Sequence, residues 1–257
     1  VQKTGIEWCD YTSNPVRGYC PMACPYCYSR KIYDRFGWDK IIRFVPEELE
    51  TWQKAKAGSR IFVGSMIELF HDKTIQYMPE IMNAISTYPH LRILLLTKQP
   101  QNLPKFSPYP SNCFVGVTVT GFQAYANAHF YLWQLVNARV KFLSIEPFLS
   151  WGIGVSPQPY PNLSDHLKAC CNWLIIGACT GSWRDIVAMS AKYPALVTMP
   201  YGKKWTLQPK IEWIEEIVRA CDKAGVKVFL KNNLKPLLGD DPYWANVVNS
   251  RQEMPVE

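Results

Sequence analysis

Long hydrophobic runs are missing from this chain. No apolar stretch reaches the roughly 18–20 residues that a membrane-spanning helix requires. The opening segment Val1-Gln2-Lys3-Thr4-Gly5-Ile6-Glu7 also lacks the apolar core of a secretion signal. The expectation is a soluble, cytoplasmic protein with no membrane partner. An even cysteine count is missing too: there are nine, and three of them fall between residues 20 and 27. A small secreted scaffold stapled by disulfides would be shorter and evenly paired, so a reducing compartment with one metal or cluster site fits better. Internal repeats, low-complexity tracts and a basic tail are all absent, which sets aside solenoids and tail-mediated polyanion binding.

What is present describes a packed globular chain. It has 257 residues, 48% of them apolar and 19% charged, a balance incompatible with wholesale disorder. That length suits one domain, and the expectation is a single domain over residues 1–257. The net charge of +7 is spread thinly: residues 1–44 carry 7 basic and 4 acidic groups, and 200–257 carry 9 and 8. A diffuse positive field favours anionic partners without naming one. The 14% aromatic content offers stacking surfaces as well as core volume.

Short apolar, β-rich runs recur at 60–64, 92–97, 113–118, 140–145, 173–177 and 226–231. Their nearly continuous apolar character is that of strands covered on both faces. Helical patterns intervene at 46–57, 78–87, 122–136 and 209–224. Strand, helix, strand at this spacing means βα units, hence an α/β fold with a parallel sheet. Adding one strand upstream of Cys20 gives about six to seven parallel strands, enough for a partial (β/α) barrel and short of the closed eightfold form. Polar groups end nearly every run, as at Ser65 to Glu68, Thr97-Lys98, Thr118, Glu146, Cys179 and Lys231. Parallel barrels carry their chemistry at that edge, although strands also end in polar residues simply to meet solvent. The stretches near 150–166 and 194–209, rich in Pro, Tyr, Trp and Gly, are expected to be long loop insertions.

The sharpest motif is Cys20-Pro21-Met22-Ala23-Cys24-Pro25-Tyr26-Cys27, a C-x3-C-x2-C spacing. Three thiolates this close can wrap one compact inorganic centre. A four-iron cluster held by three cysteines keeps one iron open to an outside ligand. Structural zinc would need a fourth protein ligand, and Cys9, His71 and His129 lack finger-like spacing from the trio.

With Tyr26 just before the third cysteine, this loop resembles the radical S-adenosylmethionine (SAM) superfamily. Gly18-Tyr19-Cys20 through Cys27-Tyr28-Ser29-Arg30 is similar to the cluster loops of spore photoproduct lyase and its relatives. A broader set is similar to a phage- and prophage-associated branch: Ile6-Glu7-Trp8, Asn14-Pro15, Gly64-Ser65-Met66, Leu96-Thr97-Lys98, Ser144-Ile145-Glu146-Pro147 and Phe229-Leu230-Lys231. The resemblance runs from about residue 4 to 235 and implies a partial (β/α) barrel (a partial TIM barrel) with a [4Fe–4S] cluster on Cys20, Cys24 and Cys27. SAM would chelate the open iron, and one electron from the cluster would cleave it to methionine and a 5′-deoxyadenosyl radical that abstracts hydrogen from a substrate. The cofactor carries that chemistry, and the protein orients it and excludes water. An electron donor such as flavodoxin or ferredoxin is implied. So is a nucleic acid or nucleotide substrate for DNA repair or modification, with a charged peptide or small metabolite also open. The rival reading is a non-catalytic nucleic-acid-binding module whose cysteines hold zinc or a structural Fe–S cluster.

The resemblance also suggests roles by position. Tyr26 would pack near the adenine, or simply fill the loop. Where the superfamily has a Gly-Gly-Glu-Pro-like turn, this chain has Gly64-Ser65-Met66-Ile67-Glu68, which makes Ser65 and Glu68 the candidates for the SAM amino group. Thr118 and Glu146 would meet its ribose or carboxylate. Lys98 and Lys231 would pair with a carboxylate or phosphate, or be solvated. Cys179 stands where the branch commonly has Glu. It is either a hydrogen-atom donor to a substrate radical or a small buried residue, and Cys170-Cys171 reads as structural.

Overall fold

The computed structural model describes residues 1–152, 162–238, 247 and 250–255. It contains two compact units: Val1–Val117 with Leu135–Val140, and Thr118–Gln134 with Lys141–Glu257. Most of the insertion expected near 150–166 lies outside the described residues.

In the first unit the chain forms β1 (Gln2–Lys3), β2 (Tyr11–Ser13), β3 (Val16–Arg17), α1 (Tyr28–Phe36), β4 (Arg43–Phe44), α2 (Glu47–Glu50), β5 (Arg60–Val63), α3 (Met78–Thr87), β6 (Arg92–Thr97) and β7 (Cys113–Thr118). The strand order is β1-β2-β5-β6-β7. β1 is antiparallel to β2, and β2, β5, β6 and β7 run parallel, with Ile61 opposite Ile93 and Leu95 opposite Val115. All six residues of β7 are buried, as expected of a strand covered on both faces. In α3, Met78, Ile81, Ala84 and Ile85 are buried at helical spacing, so one face supplies the contact with the core. The helix expected over 46–57 is shorter than its pattern: α2 gives way to a 3₁₀ turn at Thr51–Lys54. There Trp52 is fully buried, and its indole N–H donates to Ser13 Oγ at 2.8 Å.

In the second unit are α4 (Phe122–Gln134), β8 (Val140–Ile145), α5 (Leu163–Cys170), β9 (Trp173–Ile176), β10 (Cys179–Gly181), α6 (Trp183–Ser190), β11 (Val197–Tyr201), β12 (Lys204–Gln208), α7 (Ile211–Ala224), β13 (Lys227–Leu230) and α8 (Lys235–Leu238). β8, β9 and β13 run parallel in that order, and β10-β12-β11 forms a separate antiparallel sheet. That sheet corrects the expectation of an irregular loop at 194–209: the segment is a hairpin turning on Gly202 and Lys203. Its Pro200 and Gly202 look like loop markers, yet both fit. Pro200 lies on β11, at the edge of the sheet, where a missing N–H is tolerated. Gly202 has φ of 57°, in the turn where a left-handed residue is wanted.

Seven parallel strands, four in one unit and three in the other, match the expected count and establish the mixed α/β class. The strand order is open-ended in each unit, and no barrel closure is seen among the described residues. None of the described helices is long and apolar enough to cross a membrane.

Candidate functional site

The cysteine motif forms the loop between β3 and α1. Ala23 takes a left-handed φ of 50°, and Cys27 N–H donates to Cys24 C=O at 3.0 Å, so the chain doubles back between the second and third thiols. Arg30, one turn into α1, donates twice to the Cys20 carbonyl at 3.1 and 2.8 Å and stacks over Tyr19 at 4.0 Å. Helix and loop are thereby fastened together. Cys20 is buried and Cys24 and Cys27 are half-buried. Burial pushes the Cys20 thiol up, the neighbouring Cys27 and Glu68 charges act the same way, and the backbone N–H groups of Glu68 and Met22 oppose them. Those two N–H groups are suited to a sulfur that carries negative charge, as a cluster thiolate does. Among the described residues, no three His, Cys, Asp or Glu side chains form a group suited to a single metal ion.

The loop rests on the segment that follows β5. Tyr28 Oη donates to the Ser65 carbonyl and Ser29 Oγ to the Met66 carbonyl, each at 2.7 Å. Asn14 holds the same turn from below: its Oδ1 accepts from Met66 N–H at 3.0 Å, and its Nδ2 donates to Ser65 Oγ at 3.2 Å. Gly64, with φ of 78°, allows this turn, since a methyl group there would lie 2.6 Å from the Leu69 side chain. Of the residues expected to touch SAM, Ser65 is thus half-buried and held by Asn14.

Glu68 is buried at 7% exposure, and three donors converge on its carboxylate. Oε1 accepts from Thr97 Oγ1 at 2.6 Å and Phe70 N–H at 3.1 Å, while Oε2 accepts from Lys98 N–H at 2.8 Å. Lys98 therefore meets Glu68 through its backbone, and its half-exposed ammonium has no ion pair among the described residues. Tyr26 is half-buried in the loop itself.

The second unit builds a different polar cluster. Lys231, after β13, donates to both carboxylate oxygens of Glu146 at 2.7 and 2.8 Å. Asn233 Nδ2 reaches Glu146 Oε1 at 3.2 Å, the Ala178 carbonyl at 3.0 Å and Thr180 Oγ1 at 3.2 Å, and its Oδ1 accepts from Ala178 N–H. Gln208 donates to the Asn233 carbonyl at 2.7 Å, while its buried Oε1 has no hydrogen-bond partner among the described residues. Gly177 is required by contact: a Cβ there would fall 2.9 Å from Glu146 Oε1 and 3.0 Å from Lys231 Cδ. Thr118 is buried at the end of β7. Cys179 begins β10 opposite Leu207 at 4% exposure, so its thiol lies inside a paired strand.

Sequence reasoning missed Asn14, Asn233 and Gln208 as structural hubs. Their amides are recognisable only from partners 25 to 87 residues away. It also passed over α6, whose signal was available: Ser182 and Asp185 form a capping box, Asp185 N–H to Ser182 Oγ and Ser182 N–H to the Asp185 carboxylate.

These features define an α/β protein with parallel strands and a three-cysteine loop pinned beside a buried glutamate. By sequence, the chain belongs to DUF5131, a family described as proteins of unknown function, whose model matches residues 3–190. That span takes in the cysteine loop, Glu68 and Glu146, and stops before Lys231 and Asn233. Neither a curated protein nor a solved structure matches the chain.

Proposed function

We propose that the protein is a radical SAM enzyme that removes a hydrogen atom from its substrate. The observation that carries this reading is the Cys20–Cys27 loop, whose three thiols lie within eight residues and whose buried Cys20 thiol meets the backbone N–H groups of Glu68 and Met22. A bound [4Fe–4S] cluster would supply the electron that splits SAM, and ligation by three cysteines would leave one iron open to SAM. Cys20, Cys24 and Cys27 would hold the cluster. Ser65 and the half-exposed Lys98, set beside the loop, would orient the amino and carboxylate groups of SAM, and Tyr26 would shield its adenine from water. Glu68 acts by holding the chain at 68–74 and at 97–98 in place, since its oxygens already accept from Thr97, Phe70 and Lys98. A partial barrel remains the architecture that would bring such parallel strand ends to bear on a substrate.

The test is anaerobic reconstitution with iron and sulfide, followed by SAM and a chemical reductant. The expected outcome is a brown protein with about four irons per chain that releases 5′-deoxyadenosine. A colourless protein with one zinc would replace this reading with the non-catalytic module. Iron-loaded protein that binds SAM and never cleaves it would end the catalytic claim.

A further inference from the structure

Two of the exposed aromatic patches among the described residues handle their charges differently. In the first unit, Phe36 and Trp38 stack with ring centroids 5.8 Å apart; Lys40 pairs with Asp34 and Arg43 with Asp39, while Arg35 lies over the Phe36 ring at 5.4 Å. In the second, Trp183 opens α6 at 53% exposure and lies 4.4 Å, ring centroid to ring centroid, from Trp205 on β12. Four cations and one acid lie between residues 182 and 204: Arg184, Lys192, Lys203 and Lys204 against Asp185. Asp185 is engaged in the capping box, and none of the four cations makes an ion pair among the described residues.

The placement matters as much as the count. Arg184 follows Trp183, and Lys203 sits in the hairpin turn two residues before Trp205. Lys204 leaves the strand on the face opposite Trp205, as alternation requires. Flat indole surface flanked by uncompensated cations suits a chain of stackable rings joined by phosphates, whereas an apolar protein partner would leave those cations buried and unpaired. An extended single strand exposes both its bases and its phosphates, and a duplex hides its base faces.

We propose that the Trp183–Trp205 pair, with Arg184 and Lys203, is a docking platform for single-stranded nucleic acid. This goes beyond the catalytic reading and does not depend on it, because binding is read without SAM or reductant. Purified full-length protein would be titrated with a fluorescein-labelled thymidine dodecamer, following anisotropy and tryptophan quenching between about 50 and 200 mM salt. Trp183→Ala is expected to weaken binding about ten-fold and Trp183→Phe much less, since the ring is what stacks. Arg184→Ala with Lys203→Ala should lower the slope of log affinity against log salt by about 0.7 per charge removed. Trp38→Ala, on the patch where two of the three cations are paired, should bind as wild type. Wild-type affinity in Trp183→Ala would overturn the proposal, as would absence of binding by the wild type. So would equal affinity for a poly-glutamate peptide or for duplex of the same length. Should the Trp183 variants fail to fold, the salt slope of the Arg184/Lys203 variant decides alone.

Discussion

Each unit places a glutamate after a parallel strand, and the two are satisfied in opposite ways. Glu68 takes its hydrogen bonds from two backbone N–H groups and a hydroxyl, all neutral. Glu146 takes two from the Lys231 ammonium and one from the Asn233 amide. The first cluster thus keeps a negative charge beside a thiol-rich loop without a compensating cation on its oxygens, and the second is neutralised on site. Neutral donors leave a site ready to receive a cationic or electron-poor group, while a closed ion pair makes a rigid joint.

Removing the thiols probes the first site most severely. Cys20→Ala with Cys24→Ala and Cys27→Ala should take iron content after reconstitution from about four per chain to near zero and abolish 5′-deoxyadenosine release. Circular dichroism should stay close to wild type, and loss of the fold would show that the loop is structural as well.

Lys231→Met tests the closed joint. Leaving Glu146 without its cation should cost about 3 kcal/mol in urea unfolding, the low end for a broken buried pair because both side chains keep some exposure. Adding Glu146→Leu should recover much of that loss, since both charges are then gone. At Glu68 such a rescue is unavailable, because two of its partners are main-chain N–H groups that no side-chain truncation deletes. Glu68→Gln, which turns an amide N–H toward one of three donors, should cost about 2 kcal/mol, and a second substitution at Thr97 should not restore it. Full recovery there would erase the distinction between the sites.

The smallest effect is a pH response confined to the second unit. His129 and His166 meet nitrogen to nitrogen at 3.1 Å, a distance at which one ring donates and the other accepts. Burial, and then the charge of His166, hold His129 below its ordinary value. The unfolded chain therefore takes up the proton more readily. The stabilisation is complete above the unfolded value near 6.5 and is lost as pH falls through the folded one. Unfolding midpoints should drop modestly between about pH 7.5 and 5.5, and His129→Gln should flatten the dependence.

Much of the fold could be read without coordinates. The runs at 92–97, 113–118 and 140–145 became strands over those same residues, and α3 covers the 78–87 that its apolar spacing marked. The failures have physical reasons. Pro200 and Gly202 counted as breakers because the sequence does not say that β11 lies at a sheet edge. The helix from Pro46 tightened into a 3₁₀ turn where Trp52 reached a serine almost forty residues away. Cys179 looked like a mouth residue because the partner strand that covers it arrives about thirty residues later.

The chain's own order of residues determined whatever depends on near neighbours: the strand and helix periods, the α/β class, and the C-x3-C-x2-C spacing of three thiols. Tertiary structure alone decided how each buried carboxylate is satisfied and which exposed cations are left without an acid. Those outcomes rest on single hydrogen bonds and ion pairs between residues tens of positions apart, and such partners are chosen by packing in space, which no local pattern encodes.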